Sequence, residues 1–177
     1  MKLRLLAKPY LKGGRMYCYC VFCETTKCKY VAETLRRILE CHTIYPKQIQ
    51  HTWDKGQLID IERNLLPGYI FLYSEQKLVN NIRIRSVSGV IRLLANADGS
   101  YELTGSDKIF AMMLYENDGC LGRTPVYEEG SIIKLKKGNF SGMHAQILKV
   151  DRRNKRMKIE IPFTSMKLKT WVEYEIE

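Results

Sequence analysis

An α+β fold with a mainly antiparallel sheet, followed by a small five-stranded β-barrel, is what three features of this 177-residue sequence predict. The first is Leu65-Leu66-Pro67-Gly68-Tyr69-Ile70-Phe71-Leu72-Tyr73, the densest apolar run, which reads as a strand apolar on both faces. The second is a set of amphipathic helical stretches that alternate with β segments through the first two-thirds of the chain. The third is a change of period after residue 125, beyond which short β segments follow one another without a helix.

Residues 1–15 hold five basic side chains, no acid and no apolar stripe. Two readings stay open: untranslated leader ahead of Met16, since Lys-Gly-Gly codons can spell a ribosome-binding site, or a short basic arm. Either way they are expected to be dispensable. Tyr17 to Cys23 alternates as a first strand, Glu24-Thr25-Thr26 turns out of it, and a helix follows from Lys27 to about Cys41 with Val31, Leu35, Ile38 and Leu39 on one stripe. His42 is read as a cap just past the helix end, and His51 and His144 have no Cys, Asp or Glu at ligand or triad spacing, so none of the three is given a chemical role.

Ile44 to Trp53 and Gln57 to Glu62 read as a hairpin turning at Asp54-Lys55-Gly56. The strand from Leu65 comes next, with Pro67 tolerated at its opening because a missing N–H matters least there. A helix over Gln76 to Arg85 places Leu78, Val79 and Ile82 inward, Ser88-Gly89 breaks the chain, and Val90 to Leu94 is a further strand. Ser106 is the expected cap of a last helix holding Ile109, Met112 and Met113, with Asp107 in its first turn. Asn117 to Pro125 reads as a linker. The barrel strands are then Ile132 to Leu135, Ala145 to Val150, Met157 to Ile161, Met166 to Thr170 and Trp171 to Ile176, with Pro162 as a break.

The net charge of +10 is uneven: +5 over residues 1–15, +1 over 16–125 and +4 over 126–177. A basic C-terminal segment is the footprint of a polyanion partner. Arg152, Arg153, Lys155 and Arg156 cluster at one turn, Lys167 and Lys169 share a strand face, and Trp171 and Tyr174 stand beside them, a pairing of cations with aromatics suited to RNA. The six cysteines lack the paired spacing of a zinc ribbon, so no metal site and no cofactor is expected; buried free thiols suit a reducing, cytoplasmic setting. No stretch has membrane-spanning length, so no membrane partner is expected.

Cys18-Tyr19-Cys20-Val21-Phe22 with Glu24-Thr25, Leu66-Pro67-Gly68-Tyr69-Ile70-Phe71 and Ile84-Arg85-Ser86-Val87-Ser88-Gly89-Val90 resemble, in order, three motifs of the NusG family of transcription elongation factors. Gly130, Ile133, Gly138, Phe140 and Gly142, with Val150-Asp151 after them, resemble the fixed residues of a KOW domain. The resemblance spans nearly all of residues 17–177. It implies an NGN-type domain over 16–116 that binds the clamp helices of RNA polymerase, a linker over 117–125 and a KOW barrel over 126–177, with no catalytic chemistry. By position, the polymerase-facing residues would be Cys18, Cys20, Pro67, Tyr69 and Phe71, and Arg83 and Arg85 would lie near the non-template DNA strand. The expected RNA-binding set is Arg152, Arg153, Lys155, Arg156, Lys167, Lys169 and Trp171, facing a nascent RNA element.

Three departures stand out. Cys18 replaces the usual Trp, Ala145 stands where general members have the second KOW glycine, and Pro162-Phe163-Thr164-Ser165 lacks the Phe-Gly-Arg loop that binds ribosomal or termination proteins. They make the chain resemble specialised paralogues such as the RfaH and LoaP antiterminators, implying a monomeric bacterial factor held at the nucleoid through polymerase. The alternatives are a general elongation factor coupling polymerase to the ribosome or a termination factor, and a ribosome-associated KOW protein that binds RNA.

Overall fold

The computed structural model describes residues 15–78, 81–136, 140 and 143–177. Of the expected residues, Val79, Gly138 and Gly142 lie outside that set, as do residues 1–14 of the basic extension. Only the second half of the apolar run is a strand: Leu65 to Gly68, expected as its opening, are a bend and turn, and β5 (Tyr69–Ser74) is held in a four-stranded antiparallel sheet of order β2-β5-β1-β6 with β1 (Tyr17–Cys23), β2 (His42–Ile44) and β6 (Val90–Leu93). Being central, β5 is buried on both faces, as its composition demands. On one face Ile70 and Leu72, with Tyr19 and Val21 of β1, pack under Val31 and Leu35 of α1 (Cys28–Leu39) and Ile84 of α2 (Asn81–Arg85). On the other, Phe71, Tyr73, Cys18 and Cys20 meet Phe110, Ala111 and Leu114 of α3 (Gly105–Glu116) and then the interior of the C-terminal barrel.

β5 starts at a turn that only glycine fits. Gly68 has φ of +91°, and a Cβ there would lie 2.8 Å from Phe22 Cε2 and 3.1 Å from the Cys23 carbonyl oxygen. The Gly68 carbonyl meanwhile accepts the Cys23 N–H at 2.8 Å, so the turn is tied to the neighbouring strand.

The hairpin of β3 (Lys47–Asp54) and β4 (Gln57–Asn64) turns on Lys55-Gly56, both with positive φ, the geometry that matches strand twist in a two-residue loop. It forms a separate sheet of order β4-β3-β7, and Ile44 belongs to β2 instead. The third strand, β7 (Cys120–Leu121), comes from the expected linker: Cys120 and Leu121 pair in parallel with Lys47 and Gln48, and the Lys47 N–H donates to the Gly119 carbonyl at 2.7 Å.

The barrel has five strands in the order β10-β11-β12-β8-β9, with β9 lying close to β10. They are β8 (Thr124–Glu129), β9 (Ile132–Leu135), β10 (Gln146–Asp151), β11 (Arg156–Phe163) and β12 (Met166–Ile176). Two expected strands are therefore the single β12, and the fifth strand is β8, which pairs with it in parallel. Pro162 lies inside β11. β10 begins at Gln146, opposite Glu160, and reaches no farther along β11, so the missing N–H at Pro162 interrupts no ladder on that side. The turn is Thr164-Ser165, both in the left-handed region.

Helix phases also differ from expectation. Thr104 is the cap residue of α3, Ile109 is exposed, and Phe110 and Leu114 take the core positions. In α2 the inward residue is Ile84, while Ile82 faces out. His42 opens β2 with its ring 5.4 Å from Tyr115 and 6.0 Å from Tyr73, and the helix stops at Glu40 in a left-handed conformation. In α3 the larger aromatic surface of Phe110 goes inside, and local spacing yields to it. Among the described residues, no helix is long and apolar enough to cross a membrane.

Gly68→Ala combines a strained φ with a steric clash and is expected to cost about 1–3 kcal/mol. Thermal unfolding measures it, and an unchanged midpoint would show that the turn can relax.

Candidate functional site

Two surfaces carry many of the residues picked out by sequence: the face of β1 and β5 that meets the barrel, and the outer face of β11 and β12. The first is built by strand register. Cys18 opposes Tyr73, Cys20 opposes Phe71 and Phe22 opposes Tyr69, so all six side chains point the same way. Expected to be available for docking, Cys18, Cys20 and Phe71 are instead fully buried, Tyr69 is half-buried against Phe22 with ring centroids 5.0 Å apart, and only Pro67 is exposed. Burial pushes the Cys18 thiol up to about 11 and the Cys20 thiol well above its ordinary value, so both stay neutral and pack as small hydrophobes.

What covers them is the barrel. Phe163, the last residue of β11, stands edge-on to Phe71 at 5.7 Å and to Phe110 at 5.9 Å, and Phe71 and Phe110 are themselves 5.7 Å apart. Such edge-to-face pairs add about 0.5–1.5 kcal/mol each to the burial of their area. Polar contacts surround this aromatic centre. The Thr164 N–H donates to Asp107 Oδ2 at 2.9 Å, the Thr170 hydroxyl to the Leu65 carbonyl at 2.8 Å, and the Gln48 side-chain amide to the Trp171 carbonyl at 2.8 Å. Asp107 is held above its ordinary carboxylate value by burial. Thr164 is a β-branched residue at φ of 43°, a conformation held in place by the bond to Asp107.

At the far edge Glu173 gathers three donors. The His51 backbone N–H lies 2.7 Å from Oε1, His51 Nδ1 is 2.7 Å from Oε2, and Arg123 Nε is 3.5 Å from Oε2. His51 Nε2 is also 2.8 Å from Asp60 Oδ1. Sequence reading gave His51 no role because Glu173 lies 122 positions away. No local spacing could have found that pair.

The second surface is a ladder. On the outer face of β11, Arg156, Lys158 and Glu160 oppose Glu173, Trp171 and Lys169 of β12, with Lys167 opposite Pro162. Lys149 of β10 opposes Lys158. The register thus gathers Arg156, Lys167, Lys169 and Trp171 as expected and adds Lys149 and Lys158, two cations that sequence reading missed. Their signal was present as the alternation of β10 and β11. Arg156 stacks over the Trp171 ring at 4.9 Å and pairs with Asp151 at 2.8 Å, while Glu160 holds Lys167 at 2.9 Å and Lys169 at 3.4 Å. Arg152 is turned away, bonded to Glu128 at 2.5 Å and to the Ser131 carbonyl at 2.8 Å. Arg153 and Lys155 are exposed at the same turn. Arg83 and Arg85 lie elsewhere, on α2; Arg85 is bonded to the Tyr101 hydroxyl at 2.8 Å, and Arg83 faces solvent.

Among the described residues, no cluster of His, Cys, Asp and Glu could hold a metal ion. The fold thus assembles many of the residues picked out by sequence into a buried aromatic junction between two β units and a basic strand ladder on the outside of the barrel. The family profile described as transcription termination factor NusG matches residues 16–112, more than half of the sequence, and the chain belongs to the NusG family of transcription elongation-related factors. The structure is similar to one solved to describe domain interaction in Thermotoga maritima NusG, with a TM-score of 0.53 and 16% identity over 90% of this chain and 94% of that one. A search of curated protein sequences finds no match.

Phe163→Ala is expected to remove about 3–5 kcal/mol of packing and to let the barrel separate. Small-angle scattering should show a larger radius of gyration while circular dichroism retains the β and helical signals. Unchanged scattering from a folded variant would show that the polar contacts suffice.

Proposed function

We propose that this chain is an elongation and antitermination factor whose polymerase-binding face is covered by its own barrel. In this reading residues 16–116 form the domain that docks on the clamp helices of RNA polymerase through Pro67, Tyr69 and Phe71, with Cys18 and Cys20 beside them on the adjacent strand. Arg83 and Arg85 attract the non-template strand, residues 117–125 connect, and the KOW barrel of 126–177 meets a nascent RNA element through Arg156, Lys158, Lys167, Lys169 and Trp171. Arg152, Arg153 and Lys155 add charge at the neighbouring turn. The factor works as a cytoplasmic monomer without catalysis.

The observation that carries this reading is Phe163 seated on Phe71 and Phe110. A surface that is fully apolar, aromatic and satisfied by a second unit of the same chain is one that an external partner can use only by displacing that unit. The barrel turn that makes the contact also stands where the Phe-Gly-Arg loop is missing, which favours an RNA partner for the barrel over a ribosomal one. The matching family's description as a transcription termination factor supports a second reading, a general factor coupling polymerase to termination proteins.

Capture on immobilised RNA polymerase and, separately, on ribosomes tests the choice. The full chain should be retained by polymerase, and Tyr69→Ala, which removes a half-buried ring without opening the core, should weaken retention about tenfold or more. Retention by ribosomes alone would overturn the reading.

A further inference from the structure

The His51 ring stands between two carboxylates that belong to different units of the chain. Its Nδ1 is 2.7 Å from Glu173 Oε2 on β12 of the barrel, and its Nε2 is 2.8 Å from Asp60 Oδ1, directly across the hairpin on β4. An ionised carboxylate only accepts hydrogen bonds, and a neutral imidazole has one N–H to donate, so a neutral ring satisfies one of these contacts and sets lone pair against lone pair at the other. The imidazolium, with a proton on each nitrogen, satisfies both. The charges point the same way. Arg123 Nε, 3.5 Å from Glu173 Oε2, supplies one positive charge beside two carboxylates, and a second on His51 balances the group. Among the described residues, the other charged neighbours are engaged elsewhere: Lys47 of the same strand pairs with Glu62 at 2.5 Å, and Arg156, opposite Glu173 on β11, pairs with Asp151 at 2.8 Å. The Glu173 side chain keeps only 11% of its exposure, so little water reaches it to replace a missing donor.

We infer that His51 is a proton-dependent latch between the hairpin and the barrel: with two protons the ring holds the barrel against the first unit, and with one it loosens its hold. The geometry ties the second proton to the closed arrangement. When the barrel detaches, Glu173 leaves with β12 while Asp60 stays across the hairpin, and a ring facing one carboxylate needs one N–H. Closure therefore takes up protons. By linkage the closed arrangement gains at low pH and loses as pH rises through the range in which imidazoles change charge, about pH 6 to 8. The response is graded, because the aromatic centre at Phe163 and the bonds made by Gln48 and Thr170 contain no titrating donor. Asp107, the carboxyl that burial holds above its ordinary value and that accepts the Thr164 N–H, is a second group at the junction that loses its proton as pH rises, and the test separates it from His51. The latch is a contact between two units of one chain and does not rest on polymerase as the partner.

Hydrogen exchange of the Thr164 amide, which donates to Asp107 across the junction at 2.9 Å, measures opening of the barrel even when open molecules are rare. In the full chain its protection, corrected for the intrinsic pH dependence of exchange, is expected to fall about tenfold between about pH 6 and pH 8, the scale of one charge-assisted hydrogen bond. His51→Gln keeps a neutral N–H donor and cannot gain the charge. It should show lower protection at the acid end and change less than about twofold over the same range. Glu173→Gln, which removes the barrel's carboxylate and leaves the hairpin untouched, should flatten the profile in the same way. A flat profile in the wild-type chain would overturn the latch, and so would an equal slope in His51→Gln, which assigns the proton to Asp107. Polymerase takes no part in this readout, so a chain that polymerase does not retain but whose Thr164 protection depends on His51 would leave the latch standing and the elongation reading fallen.

Discussion

Three phenylalanine rings hold this molecule in one piece. Phe71 belongs to the central strand, Phe110 to the helix across it and Phe163 to the barrel, and each pair of rings lies within 6 Å. Without Phe163 the sheet face would present Phe71 to water beside Cys20 and the helix, a contiguous apolar surface of the kind monomeric proteins seldom leave open. The constraint acts on the neighbours as well. It sets the pitch of α3, because Phe110 and Leu114 must reach the same centre, and it places Thr164 where only an unfavourable backbone conformation lets its N–H reach Asp107. Strain of this kind persists where surrounding contacts over-determine it.

Much of the sheet was legible because its signals are local. The alternation of Tyr17 to Cys23 gives β1 residue for residue, and the Pro-Gly opening of the apolar run marks where β5 begins. Lys55-Gly56 could be read as a hairpin turn for the same reason. What could not be read is whatever long-range pairing decides. Cys120-Leu121 looks like a linker because turn residues surround it, yet it pairs with Lys47 and Gln48 some seventy positions earlier. Pro162 looks like a break because its role depends on where β10 begins, and the split of β12 into two strands arose from the same lack of a partner strand to count against.

The candidate surfaces divide along the same line. The ladder of basic residues followed from strand alternation, and only its full membership waited for the register that puts Lys149 and Lys158 beside Trp171. The opposite holds for the aromatic face. Sequence placed Tyr69 and Phe71 on one side of a strand and left open whether that side was core or interface. The fold makes it core within the chain, and the covering element is the barrel. His51 and Glu173 mark the edge of that cover, through a contact between residues in different units that no spacing rule could supply.

In the reading proposed above, masking and docking compete for the same side chains, and the apparent affinity of the chain for RNA polymerase is then its intrinsic affinity multiplied by the fraction of molecules in which the barrel is detached. The most direct measurement is the equilibrium affinity for polymerase of the wild-type chain beside that of Phe163→Ala, whose substitution lies outside the proposed docking residues. An increase of about a hundredfold or more in the variant, in keeping with the packing lost from the closed arrangement, is the predicted result. A folded variant with equal or weaker affinity would contradict the account, because the barrel would then be a bystander to polymerase binding or a part of the interface itself.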